Sequence, residues 1–210
     1  MRAFCLVLLF YFQTAFSQTA EKITPDDFPV TDLMLHEHGK KESGTLLSFD
    51  KAWFGNSALK QTLVFELYTD YHRFVTCLFN NNDIPPDLVE RMELNVQGGK
   101  LAEHEERTKY FNGFIPQAKQ VSADYFVSDK GFKSGSKKEK ALHIYGQPDS
   151  CKIANGIEIC EWRFEGDYTD EETPLVKTSK PRAKNSFGYS VTMYFREGKL
   201  IAMILFNDIP

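Results

Sequence analysis

The sequence predicts an α+β protein built as two related units of short helices packed on small antiparallel sheets. Three observations predict it. The first is the stretch Lys137 to Trp162, which reads as a short helix, a Gly-Pro stop and a tight hairpin. The second is a set of further hairpins rich in aromatic and β-branched residues, in a chain with 18 Phe; such residues suit pleated, half-buried surfaces. The third is a pair of sequence anchors that recur in the same order in both halves of the chain.

In the organising stretch, Ser136 and Glu139 have the spacing of a capping box, in which each side chain satisfies an amide at the helix start. Ala141, Leu142 and Tyr145 then share one helical face, and Gly146 and Pro148 end the helix. Asn155-Gly156 supplies the two positive-φ positions of a type I′ turn. Counting outward from it pairs Ala154 with Ile157, Ile153 with Glu158, Lys152 with Ile159 and Cys151 with Cys160. The cysteines fall on a non-hydrogen-bonded pair, where side chains approach most closely. A Cys151–Cys160 disulfide is therefore expected.

Taken in order, residues 1–17 read as a signal peptide. Arg2 is its positive end, Ala3 to Phe12 its short apolar core, and Ala15-Phe16-Ser17 its small-residue cleavage site. Cleavage after Ser17 predicts an exported protein, periplasmic or secreted, with no membrane span and no lipid anchor. Residues 18–85 form the expected first α+β unit. It holds a short helix over Val30 to His38, a strand pair around Asp50-Lys51 and a hairpin over Leu63 to Phe79. A turn at Asp70-Tyr71 pairs Tyr68 with Arg73 and Leu67 with Phe74.

Residues 86–129 read as a helical connector with an entry strand. Pro85-Pro86 opens a helix with Leu88, Val89, Met92 and Val96 on one side, and Gly98-Gly99 breaks it. Leu101 to Phe111, strongly charged, reads as a second helix or a mobile connector, and Val121 to Val127 as a strand. Residues 130–210 form the second unit. After the organising stretch comes a long loop over Glu165 to Ser186, acidic in its first half and basic in its second. Loops of this length are commonly functional. A hairpin turning at Glu197-Gly198 closes the chain. Its second strand, Leu200 to Phe206, is apolar on both faces and so belongs in the middle of a sheet.

The repeat rests on two anchors. Leu35-His36-x-x-Gly39-x-x-x-Ser43 matches Leu142-His143-x-x-Gly146-x-x-x-Ser150, and Leu78-Phe79…Asn82-Asp-Ile-Pro85 matches Leu205-Phe206-Asn207-Asp-Ile-Pro210. Between Val64/Val191 and Phe79/Phe206 the two copies align without a gap.

The run Lys130-Gly-Phe-Lys-x-Gly135-x-x-Lys138-x-x-Ala141-x-x-x-Tyr145-Gly-x-Pro148 resembles the helix start of exported domains of the SmpA/OmlA and β-lactamase-inhibitor-protein-like type. The Trp162 strand and the Phe195-Arg-Glu-Gly-Lys-Leu hairpin follow in the order that type has. The resemblance implies helical pairs on small antiparallel sheets, in tandem. It also implies a binding protein, either an enzyme inhibitor or an accessory factor of outer-membrane assembly.

Chemistry is sparse. The net charge is −4, and the basic residues are not gathered on one segment, which argues against a nucleic-acid partner. His36 and His38 stand two apart and diverge on a helix, so the i, i+4 metal signature is absent. Cys77 reads as a buried apolar thiol, and His72 and His104 as surface residues. No nucleophile elbow, phosphate loop or dinucleotide fingerprint is present. The expectation is a non-enzyme without catalytic, cofactor or metal residues, binding an unidentified protein. Its candidate contact residues are Tyr68, Tyr71, Asp170, Glu171, Lys180 and Arg182, aromatic and charged groups on turns and loops. The alternatives are a scaffolding factor of the cell envelope, a lipid or small-molecule binding domain, and an unrecognised hydrolase with a two-carboxylate site.

Overall fold

The computed structural model describes residues 31–32, 34, 51–68, 73–92, 95–96, 99–100, 103–168 and 178–208. The expected signal peptide, the expected helix over Val30 to His38 beyond those three residues, His72 and much of the charged loop lie outside them.

Ten strands form. In chain order they are β1 (Lys51–Asn56), β2 (Gln61–Tyr68), β3 (Arg73–Asn80), β4 (Asn95–Val96), β5 (Gly99–Lys100), β6 (Lys119–Gln120), β7 (Ser150–Ala154), β8 (Ile157–Glu165), β9 (Gly188–Arg196) and β10 (Lys199–Asp208). The described helices are α1 (Pro86–Arg91), α2 (His104–Phe114) and α3 (Lys138–Tyr145). Eight of the strands make one sheet, in the order β6-β1-β2-β3-β10-β9-β8-β7. Every ladder in it is antiparallel except β1–β6. The small β4–β5 pair stands apart.

This corrects the expected fold class. The protein is predominantly β, a single eight-stranded mixed sheet with a few short helices, not units of short helices on separate small sheets. The physical cause is the join between β3 and β10. Both strands are buried along most of their length. Left unpaired, each would carry a row of backbone donors and acceptors in an apolar setting. They pair with each other instead, from Ala202 opposite Phe79 to Asp208 opposite Arg73.

The predicted hairpin registers are observed. Tyr68 pairs with Arg73 and Leu67 with Phe74. Asn155 and Gly156 take φ of 53° and 70°, and the ladder above them pairs Cys151 with Cys160. These two cysteines form the disulfide, with their Cα atoms 4.2 Å apart. Glu197 and Gly198 turn the last hairpin with φ of 50° and 72°.

Other expectations shift. The capping box does not form: Ser136 Oγ accepts from Lys133 N–H, and the first helical amide, Lys138 N–H, donates instead to the Gly198 carbonyl at 2.9 Å. Helix α1 ends at Arg91, so Val96 leaves it and pairs in β4–β5. The strand expected over Val121 to Val127 is a 3-10 turn, Ala123–Phe126, that drops Phe126 into the core. The strand of that region is β6, just before it.

The sheet buries both faces. One apolar row crosses seven strands through Phe54, Leu63, Leu78, Met203, Met193 and Cys160, ending at Cys151. Helix α3 covers this face with Ala141 and Tyr145, joined by Met34, Phe126 and Phe132. The opposite face holds Val64, Cys77 and Ile204, covered by Leu88, Val89 and Met92 around α1 and Phe111 of α2.

Two polar clusters tie the layers to the sheet. Asp32, fully buried, accepts from Ser128 Oγ at 2.6 Å and from Lys130 N–H at 2.9 Å, while Tyr145 Oη donates to its carboxylate and its own N–H reaches Tyr189 Oη. Burial and then neighbouring charge push both phenols well above the ordinary tyrosine range. On the other face Asp87 accepts from Lys152, Arg91 and Tyr194, at 2.6, 2.7 and 3.0 Å. Burial pushes its pKa up, and these donors more than offset it, holding the carboxyl below 3.8.

Replacing both Cys151 and Cys160 by Ser is expected to lower stability by about 2–3 kcal/mol, because the closed loop is short; the shift in urea midpoint measures it. Asp87→Asn is expected to cost about 1–2 kcal/mol at neutral pH. The folded pKa of Asp87 lies below its unfolded value. Its contribution is therefore present above the ordinary 3.8 and lost as pH falls through the lower folded value. The stability gap between native chain and variant stays constant down to about pH 4 and closes below it, as urea titrations across that range will read.

Candidate functional site

Beyond Glu161, strand β8 runs on without β7 beside it. The far end of the charged loop returns along this stretch. Ala183 N–H donates to the Glu165 carbonyl at 2.8 Å, Asp167 N–H donates to the Ala183 carbonyl at 2.9 Å, and Gly166 bridges Ala183. The approach is very close: a Cβ on Gly166 would stand 1.7 Å from the Ser186 carbonyl oxygen. Only glycine fits there.

The return leaves an open groove of about 470 Å³ between Arg163, Phe164 and Glu165 on one side and Thr178 to Lys180, Phe187 and Gly188 on the other. Lys180 bonds the Asp149 carboxylate and lies 5.8 Å above the Phe164 ring. Asp149 also accepts from Arg163 N–H at 2.7 Å. Slight burial raises the Asp149 pKa, and the Lys180 ammonium and that amide more than offset it, keeping the carboxyl below the ordinary range. Arg163 turns its Nε to Glu161 at 2.7 Å. Phe187, which lines the groove, stands edge to face with Tyr168, 5.7 Å between centroids, and the two are 50% and 47% exposed. Large exposed aromatics of this kind are what protein interfaces use as anchors.

The candidate residues named from the sequence meet different fates. Lys180 lines the groove. Arg182, two residues on, is buried, donating Nη1 to the Gly166 carbonyl at 2.9 Å and pairing with Glu165 at 3.0 Å. It fastens the loop to the sheet. Tyr68 closes β2 opposite Arg73. Tyr71, Asp170 and Glu171 lie outside the described residues, as do His36 and His38. Cys77 is a fully buried thiol on the α1–α2 face, and His104 bonds Glu90 on the surface. Sequence reasoning missed Tyr168, Phe187 and Arg163. The available signal was Tyr168, the lone aromatic inside the long charged loop, and Phe187 directly after it.

Among the described residues one group has metal-ligand proximity: Cys151, Glu158 and Cys160 lie within 4.8 Å of one another. Its two sulfurs are bonded to each other and Glu158 is ion-paired with Lys138, so no thiolate is offered. No described helix is long and apolar enough to cross a membrane.

Gly166→Ala is expected to force the returning loop off the sheet, at a cost of about 3 kcal/mol in urea unfolding and with loss of the Tyr168–Phe187 contact from the near-ultraviolet dichroism. No family model matches the chain, and comparisons with curated proteins and with solved structures found no match.

Proposed function

We propose that the chain is an exported, non-catalytic protein-binding module that docks its partner at the groove beside β8 and β9. The observation that carries this reading is the exposed Tyr168–Phe187 pair, whose Phe187 lines an open groove rimmed by Arg163 and Lys180. Aromatic and arginine side chains on a pre-formed rigid edge supply contact area with little ordering cost. The disulfide supports export, since such bonds persist in oxidising compartments. The resemblance to SmpA/OmlA and β-lactamase-inhibitor-like domains points the same way, toward a periplasmic or secreted binding protein.

Within this reading the two halves of the chain are copies of one ancestral unit. In support, Cys77 and Ile204, which the gap-free alignment equates, face each other directly across the central ladder. Trp53 lies opposite Val64 and Trp162 opposite Val191, and the same alignment equates these two valines. A register shift between Leu200 and Ala202 then sends the tryptophans to opposite faces of the sheet.

A second reading is favoured by the groove's size, which falls in the range of small-molecule sites. One experiment separates them. The chain from Gln18, beside a Tyr168→Ala/Phe187→Ala variant of unchanged far-ultraviolet dichroism, serves as bait against envelope and secreted fractions of the native organism. A protein retained by the native chain and reduced at least tenfold by the variant is the expected result. Equal retention overturns the groove as the docking site. No retention, with a small molecule released from the native chain in native mass spectrometry, replaces the protein-binding reading by the second.

A further inference from the structure

Among the described residues the sheet ends on β7, whose residues are apart from those that line the groove. All five of its residues are exposed. Ile153, at 79%, is the most exposed large apolar residue among those described. Among the described residues the strand pairs with β8 alone, through a two-residue turn and the Cys151–Cys160 bond, without a register shift. Hydrogen-bonded and non-hydrogen-bonded pairs alternate outward from that turn, and Ile153 and Cys151 fall on the non-hydrogen-bonded ones. Their N–H and C=O groups therefore point away from β8. Among the described residues no hydrogen bond answers them. Neither proline nor a bulge blunts the edge. The other end of the sheet differs: β6 is two residues long, and the Gln120 side chain there is spent on Ser57 N–H.

A second copy of the chain fits this edge poorly. The one antiparallel register that uses both outward residues sets Cys151 against Ile153 of the other copy and puts the two Lys152 side chains directly opposite each other. Like charges so placed repel. Sliding toward the turn runs into Asn155, whose φ of 53° leaves the strand conformation. A foreign strand carrying a carboxylate opposite Lys152 removes that repulsion. The Lys152 ammonium gives one of its three donors to Asp87 and is 57% exposed, so the others reach outward. The positions flanking that carboxylate face Ile153 and the disulfide, and call for apolar side chains.

We propose that β7 accepts an extended segment of another protein, of alternating apolar–acidic–apolar pattern, as a further antiparallel strand. The probe is the capped peptide Thr-Val-Glu-Val-Thr, titrated to millimolar concentration into the isotope-labelled chain from Gln18 with its disulfide intact. The control peptide carries Lys in place of Glu. The expected result is a shift of the Cys151 and Ile153 amide resonances, with exchange of both protons slowed at least tenfold. The control should need at least tenfold more peptide. Ile153→Pro removes an outward donor that β8 does not use and should abolish the response. Lys152→Glu should reverse the preference between the two peptides. An unchanged pair of amides at millimolar Glu peptide overturns the proposal, as does an equal response to both peptides. Protection of the two amides that grows with the concentration of the chain alone overturns it in favour of a second copy.

Discussion

The ladder between β3 and β10 governs the rest of the molecule. Each strand ends a meander of its own half, and each is apolar on both faces. A strand of that kind cannot stand at an edge, because its outward backbone groups would be stripped of water with nothing to replace it. Their mutual pairing makes one sheet of two meanders and fixes which side chains face which cover. From it follow the seven-strand apolar row under α3 and the separate face under α1 and α2. The edges that remain fall far from this join, at β6 and β7, and the groove opens where β7 stops short of the end of β8.

What the sequence made legible was local and turn-encoded. Asn155-Gly156 and Glu197-Gly198 each determine a register through φ values that few residues adopt, so the hairpins and the disulfide could be counted from the turn outward. Pro86 marked the start of α1 for the same kind of reason. The contacts that decide the architecture are of another sort. Residues 79 and 202 meet across the β3–β10 ladder, and no local pattern encodes that meeting. The expectation of small separate sheets erred there. Ser136 and Glu139 had the right spacing for a cap, and a distant turn took the amide instead.

The site was legible in part. The charged loop drew attention through its length and composition, and Lys180 does line the groove. Arg182 carries the same charge in the same loop and is buried, because the Gly166 carbonyl and Glu165 lie within reach of its fork. Charge alone does not tell a rim residue from a fastener. The aromatic pair was hidden because Tyr168 and Phe187 are separated by the whole loop and meet only when Gly166 lets the chain pass close. The β7 edge was present in the hairpin count from the start. That it would be an edge depended on the order of the strands.

The handover of the α3 cap has a consequence for how the chain acquires its structure. Lys138 N–H is satisfied by the Gly198 carbonyl, Leu200 N–H by the Ser136 carbonyl, and Gly135 N–H by the Leu200 carbonyl. The start of this helix is thus completed by residues of the β9–β10 hairpin, which follows it in the chain. A growing polypeptide that has not yet delivered β9 and β10 holds a short helix with open amides, and short helices are marginal alone. Helix and hairpin therefore become stable together. The half of the sheet that carries the disulfide pair at its rim closes as a unit only after β10 has emerged.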